Sequence, residues 1–371
     1  MTERLTNEPR VAPERLRVMI VDDSALFRQS VTAVFREMPD IEIVGMAKDG
    51  REAIEKMIAM RPDVITLDVE MPDMNGIETL RQMQKLKLPT RAIMLSSLTE
   101  SGAKITLEAL FEGAFDFIQK PTGGMRESRS VLQTALAEKL SAFRTYRRSA
   151  TKPMIDRSTP VAAVATTTTM TGNASSSCQL VLIGLSTGGP QMLRHVVPRI
   201  EADFPVPIVI VQHMPAKYTQ TMASRLDEVS PITVCEAAEG MKILPGHVYI
   251  APGGQHLKLV KSHGGVACRL TDDPPENGCR PSVDMTMRSA IEIYGAKILG
   301  IIMTGMGRDG LAGCRLLVQA GGVVFAQDEE TSAVYGMPKA VVDAGLVTRV
   351  LPLGKIAPAI QRHVHAYVGG K

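Results

Sequence analysis

A chain of 371 residues with 44% hydrophobic residues is long enough to build two domains, and only 4% aromatic residues leave Val, Ile, Leu, Met and Ala to fill the cores. A formal charge of +3 leaves no basic excess for nucleic acid, the N-terminal MTERLTNEPRVAPERLRV is too polar for a signal peptide, and no apolar run approaches a membrane span. Five cysteines (Cys178, Cys235, Cys268, Cys279, Cys314), scattered and without C-x-x-C spacing, argue for reduced thiols in a cytoplasmic protein and against zinc or disulfides.

From Arg17 the pattern alternates between strand and helix. Val18–Val21 reads as a strand leading into Asp22-Asp23-Ser24, and Ala25–Met38 as a helix. Ile41–Ala47 follows as a strand, Gly50–Met60 as a helix, and Val64–Leu67 as a strand ending in Asp68. Gly76–Lys87 is helical, Ala92–Leu95 a strand, Leu98–Glu112 a helix, and Phe115–Ile118 a strand before Lys120-Pro121. A charged helix then runs to about Arg148. Such alternation predicts a doubly wound parallel sheet, whose ligands gather at the carboxyl ends of the strands. Asp22, Asp23, Asp68, Ser96 and Lys120 all fall there. Carboxylates crowded at one edge repel each other unless a cation joins them, and a hard divalent ion such as Mg²⁺ suits oxygen ligands. Lys120 would then neutralise an anion added at Asp68, and the Ser96 hydroxyl would hydrogen-bond to it. The plainer alternative is an ordinary α/β edge whose acids face water.

Asp22-Asp23-Ser24, LDVEMPDMNG around Asp68, Ser96-Ser97 and Lys120-Pro121 together resemble the receiver domain of two-component response regulators, over about Arg17 to Thr122. The resemblance implies a flavodoxin-like (βα)5 fold with Asp68 phosphorylated by a chemotaxis histidine kinase. It further implies Mg²⁺ held by Asp23 and Asp68 with Asp22 close by, and Ser96 and Phe117 as hydroxyl and aromatic switch positions. The receiver is expected over 15–148.

Residues 149–177 are dominated by Thr, Ser, Ala and Pro and read as a linker, with an edge strand at Pro160–Ala165 as the competing reading. Beyond it, 178–371 forms the second domain. Leu180–Ile183 is an apolar strand that runs into Gly184-Leu185-Ser186-Thr187-Gly188, and Pro190 suits the first turn of a helix. That is the G-x-S-x-G geometry of a nucleophile elbow, although a serine there can equally cap the helix. Met192–Ile200 is read as helix, Ile208–Val211 as strand, Lys217–Val229 as helix and Val248–Ile250 as strand. An antiparallel hairpin is expected near Leu257–Val260 and Ala267–Leu270, then helix Val283–Tyr294, strand Ile298–Met303, helix Leu311–Ala320 and strand Val323–Ala326. A serine nucleophile needs a base, and the base an orienting acid. Among seven histidines, His213 alone ends a strand, and Asp309 follows Ile298–Met303, with Gly305 and Gly307 letting backbone N–H groups approach an oxyanion. An α/β-hydrolase order would instead require His363 or His365 as the base.

IGLSTGGP, QHMP, LPGHVYIAPGGQH, RPSVD, TGMGRDG and YGMPKA, in register over about Leu180 to Leu346, resemble the catalytic domain of the protein-glutamate methylesterases of bacterial chemotaxis. The resemblance implies Ser186 as nucleophile, His213 as base, Asp309 as its partner and the Met306 backbone N–H as oxyanion donor. It implies methyl-accepting chemoreceptors as substrate, glutamine deamidation as a second activity, no cofactor in this half, and action as a monomer. Two alternatives stand beside it. Gly305 to Gly310 spells the dinucleotide fingerprint G-x-G-x-x-G, with Asp328 as its acid. The chain would otherwise be a non-catalytic receiver-linked adaptor.

Overall fold

The computed structural model describes residues 15–97, 99–121, 125–150 and 178–368. The expected linker, Pro160–Ala165 included, lies outside the described residues from residue 151 on. The chain divides into two compact units. One takes in residues up to 97 with Phe117–Ala137, the other Thr99–Asp116 and the chain from Glu138 on.

The first half runs β1 (Leu16–Val21), α1 (Ala25–Phe35), β2 (Ile41–Ala47), α2 (Gly50–Met60), β3 (Val64–Asp68), α3 (Gly76–Lys85), β4 (Arg91–Ser96), α4 (Glu100–Phe111), β5 (Asp116–Gln119) and α5 (Met125–Ala150). Helix starts follow from side-chain caps: Ser24, Asp49, Asn75 and Thr99 accept from the backbone N–H of Phe27, Glu52, Glu78 and Gly102. The strands form one sheet in the order β2-β1-β3-β4-β5, the flavodoxin-like arrangement. All five residues of β3 are buried, as a strand covered on both faces requires. The order reverses at β1 and β3, so Asp22 and Asp68 emerge side by side.

The second half runs β6 (Leu180–Leu185), α6 (Gly189–Val196), β7 (Ile208–Gln212), α7 (Tyr218–Asp227), β8 (Thr233–Glu236), β9 (His247–Ile250), β10 (His256–Ser262), β11 (Gly265–Thr271), α8 (Val283–Tyr294), β12 (Ile298–Ile302), α9 (Leu311–Gln319), β13 (Val323–Gln327), α10 (Met337–Asp343), β14 (Arg349–Leu351) and α11 (Leu353–Val368). Seven strands form a parallel sheet in the order β14-β13-β12-β6-β7-β9-β8, and β10 and β11 pair as a separate antiparallel hairpin. β6 is central and wholly buried. Each of its leucine and isoleucine side chains contributes about 1.5–3 kcal/mol by leaving water. Val283, at the start of α8, packs directly on this strand: a Cβ on Gly184 would lie 2.7 Å from both Val283 γ-carbons. Glycine at 184 therefore lets the α8 N-terminus reach the strand ends.

The sequence reading overlooked four elements here. β8 and β14 are four- and three-residue edge strands. α10 begins behind Gly336 with Pro338 in its first turn, and α11 carries Pro358 inside it. The expected tail around His363 and His365 is thus a strand followed by a 16-residue helix.

Candidate active site

Parallel pairing sets Leu185 of β6 against Gln212 of β7, so the next residues, Ser186 and His213, leave adjacent strand ends. His213 N–H donates to the Leu185 carbonyl at 3.1 Å, and Ser186 N–H to the Thr304 carbonyl at 2.9 Å. Gln212 ties both residues, its Nε2 donating to the carbonyls of Ser186 at 2.9 Å and His213 at 3.2 Å. The sequence reading gave this buried glutamine no role; its signal was a polar residue closing an otherwise apolar strand. Ser186 is not the cap of α6, a position occupied by Gly188. The loop after β12 presses against the serine, since a Cβ on Gly305 would lie 2.8 Å from Ser186 Cβ and 2.4 Å from Met337 Sδ.

Asp309 joins this edge from beyond β12, with its Oδ2 2.8 Å from His213 Nε2. Its carboxylate rests on the N-terminus of α8. Oδ2 also accepts from Val283 N–H at 2.7 Å, while Oδ1 accepts from Ser282 Oγ at 2.9 Å, Asp284 N–H at 3.1 Å, Gly310 N–H at 3.0 Å and Asn277 Nδ2 at 3.1 Å. Burial would raise its pKa, but the His213 hydrogen bond, the imidazolium charge and the helix N–H groups overcome it and hold the acid at about 2. An ionised Asp309 only accepts, so in the neutral ring Nε2 carries the proton and Nδ1 keeps a lone pair. For His213, burial favours the neutral ring, yet the bond to Asp309, with Cys279 beside the imidazole, lifts the pKa to about 9. Asp284 lies next to Asp309; burial foremost, and the Asp309 charge, push it up to about 6.

Met306, expected to supply an oxyanion donor, is half-buried and directly follows Gly305, whose carbonyl is pinned by the N–H groups of Gly336 at 3.1 Å and Met337 at 2.8 Å. His363 stacks edge-on against Phe325 and His365 bonds Glu201, so the structure brings neither to Ser186. Asp328 is occupied within its own turn by Thr331, through N–H at 3.0 Å and Oγ1 at 2.6 Å.

At the other sheet edge, Asp22, Asp23 and Asp68 each offer an oxygen, all within 4.8 Å of one another. Lys120 Nζ reaches Asp22 at 2.8 Å and Asp68 at 2.7 Å. Burial, against the pull of Lys120 and helped by the Asp22 charge, raises Asp68 to about 6. Ser96 is fully buried with its carbonyl accepting from Lys120 N–H at 2.7 Å, and Phe117 is buried on β5. An all-oxygen set with excess negative charge fits a hard divalent cation.

An acidic edge on one parallel sheet and a serine, histidine and aspartate edge on a second define a receiver joined to an α/β hydrolytic domain. Family models match in the same order: response regulator receiver domain over residues 18–131 and CheB methylesterase over 181–360. The protein-glutamate methylesterase/protein-glutamine glutaminase of Thermotoga maritima is 46% identical over 343 residues, 92% of this chain and 96% of the relative. That of Desulfotalea psychrophila is 42% identical over 366 residues, covering 95% and 100%. The crystal structure of the Thermotoga maritima CheB methylesterase catalytic domain is 45% identical, covers 50% of this chain and 98% of that one, and has a TM-score of 0.49. The chain belongs to the protein-glutamate methylesterase/protein-glutamine glutaminase family, with a receiver domain preceding the methylesterase domain.

Proposed function

We propose that this chain hydrolyses glutamate methyl esters on methyl-accepting chemoreceptors and deamidates their glutamines, under control of Asp68 phosphorylation. One observation carries the reading: His213 lies at the strand end beside Ser186 and is bonded through Nε2 to an Asp309 that this bond, with the N–H groups of a helix N-terminus, keeps ionised. The Ser186 oxygen attacks the ester carbonyl as His213 Nδ1 takes its proton. The tetrahedral oxyanion leans on the Met306 N–H, and collapse expels methanol, protonated by His213, leaving a glutamyl ester on Ser186. Water activated by His213 then frees the glutamate; with a glutamine substrate the leaving group is ammonia.

The receiver, taken as 15–148, is the regulatory part, 149–177 the linker and 178–371 the catalytic part. Asp22, Asp23 and Asp68 would hold Mg²⁺, which supplies charge neutralisation at the phosphoryl group when bound. Lys120 and Ser96 would then contact that group and Phe117 would relay the change. The phosphodonor is a chemotaxis histidine kinase and the setting is cytoplasmic; among the described residues no helix is long and apolar enough to cross a membrane.

Methanol release from radiolabelled, methylated receptor membranes tests the reading. Ser186→Ala and His213→Ala each abolish it, and the double variant loses little more, because residues acting as one unit are not additive. Two independent, multiplying losses would sink the assignment.

A further inference from the structure

Between the hairpin and α8 the chain makes a tight turn, Glu276 to Cys279, closed by reciprocal backbone bonds of 3.1 and 2.9 Å. Asn277 (φ 53°) and Gly278 (φ 75°) both adopt left-handed backbone, the Asn-Gly pattern such turns favour. Arg288 of α8 grips Glu276 through both terminal guanidinium nitrogens and anchors the turn. The Asn277 backbone is thus fixed at the surface while its amide reaches inward. Nδ2 donates to Asp284 Oδ2 at 3.0 Å and to Asp309 Oδ1 at 3.1 Å. Both acids are only 2% exposed. The other Asp284 oxygen accepts from Gly313 N–H at 2.7 Å, so Asn277 and the start of α9 hold that carboxylate between them.

On the reading that Ser186, His213 and Asp309 form the catalytic set, we infer that Asn277 is a positioning residue: its single amide nitrogen bridges two adjacent buried carboxylates and keeps Asp309 Oδ2 aimed at His213 Nε2. A neutral amide is the group that suits this place. It has two N–H donors, one for each acid, and adds no charge where two negative groups already crowd. Without it an oxygen of Asp284 loses its donor, the two carboxylates repel less screened, and Asp309 is freer to turn from the imidazole. The ionisable groups that interact with this acid pair are His213, Glu276, Arg288 and Cys314, and Cys279 acts on His213.

The test uses the full chain. Asn277→Gly removes the amide and tolerates the left-handed backbone; Asn277→Asp keeps shape and backbone but replaces the donor by a third carboxyl. Methanol release is followed from pH 5.5 to 9.5, and the low-field proton signal of His213 Nε2–H is recorded by NMR, with Ser186→Ala in parallel. Asn277→Gly is expected to lower kcat about 10- to 100-fold with KM unchanged, and to broaden or shift the His213 signal upfield. Asn277→Asp is expected to be most impaired above pH 8 and to regain activity relative to the parent toward pH 6, where a proton shared among three carboxyls replaces the lost donor. Should Asn277→Gly fail to fold, Asn277→Asp carries the test alone. An inactive Ser186→Ala beside Asn277 variants with the parent's kcat, pH profile and His213 signal overturns the inference. An active Ser186→Ala overturns the catalytic reading beneath it instead.

Discussion

The imidazole of His213 carries the sharpest consequence at the scale of single residues. As the proposed general base His213 must be neutral, and pairing with Asp309 lifts this ring to about 9. The acid limb of kcat/KM for the free enzyme is therefore expected well above the ordinary imidazole value, with activity climbing through pH 7 to 9. Asp309→Asn should move that limb down by at least a unit and cut turnover by up to ~10⁴, since an amide cannot stabilise the imidazolium. A limb near 6.5 in the parent, or a variant that tracks it, would remove Asp309 from the orienting role. Stability follows the same pair with opposite signs. Because the histidine pKa is raised on folding, its share is complete below about 6.5 and disappears as pH rises through about 9. Because the aspartate pKa is depressed, its share is present above about 4 and is lost as pH falls through about 2.

At the scale of elements, the loop between β12 and α9 packs closely on the serine. A methyl group on Gly305 would lie 2.8 Å from Ser186 Cβ, 3.0 Å from its nitrogen and 2.4 Å from Met337 Sδ. Gly305→Ala should cost about 1–3 kcal/mol of stability by overpacking and, by displacing the serine, reduce turnover about 100-fold. Thermal melting and methanol release on one sample check this, and wild-type turnover would mean that the loop yields instead of Ser186. Elements whose own residues specify them were legible. α8 covers Val283–Tyr294 as read, because Ser282 caps it and an apolar stripe follows. Ser186 and His213 were legible as strand-end residues, a property carried by neighbouring apolar runs, whereas Asp309 lies past the end of β12, just before the Gly310 cap of α9. α11 was not, since Pro358 and Gly354 interrupt its local pattern and its burial depends on the rest of the domain. Nothing local to Asn277 singles it out; that its amide reaches two acids 7 and 32 positions away is a fact of tertiary packing.

For the whole molecule, the receiver is proposed to restrain the hydrolase until Asp68 is phosphorylated. Activation of ~10- to 100-fold needs about 1.4–2.8 kcal/mol of differential stabilisation, within reach of the few charge-assisted hydrogen bonds a phosphoryl group adds. Acetyl phosphate with Mg²⁺ should therefore stimulate the full chain, while Asp68→Asn keeps basal activity and loses the response. A fragment beginning at Cys178 should exceed the unphosphorylated full chain; a fragment no faster would shift control to recruitment of the enzyme to its receptor. The sheet order carries a different consequence, for the growing polypeptide. β6 lies between β7 and β12, so the central strand acquires its second neighbour late, and His213 waits 96 residues for Asp309. A nascent chain on the ribosome can carry serine and histidine long before it holds the buried acid. With Ser186, His213 and Asp309 acting as proposed, hydrolytic competence would arrive only near the end of translation, after the receiver has had time to fold.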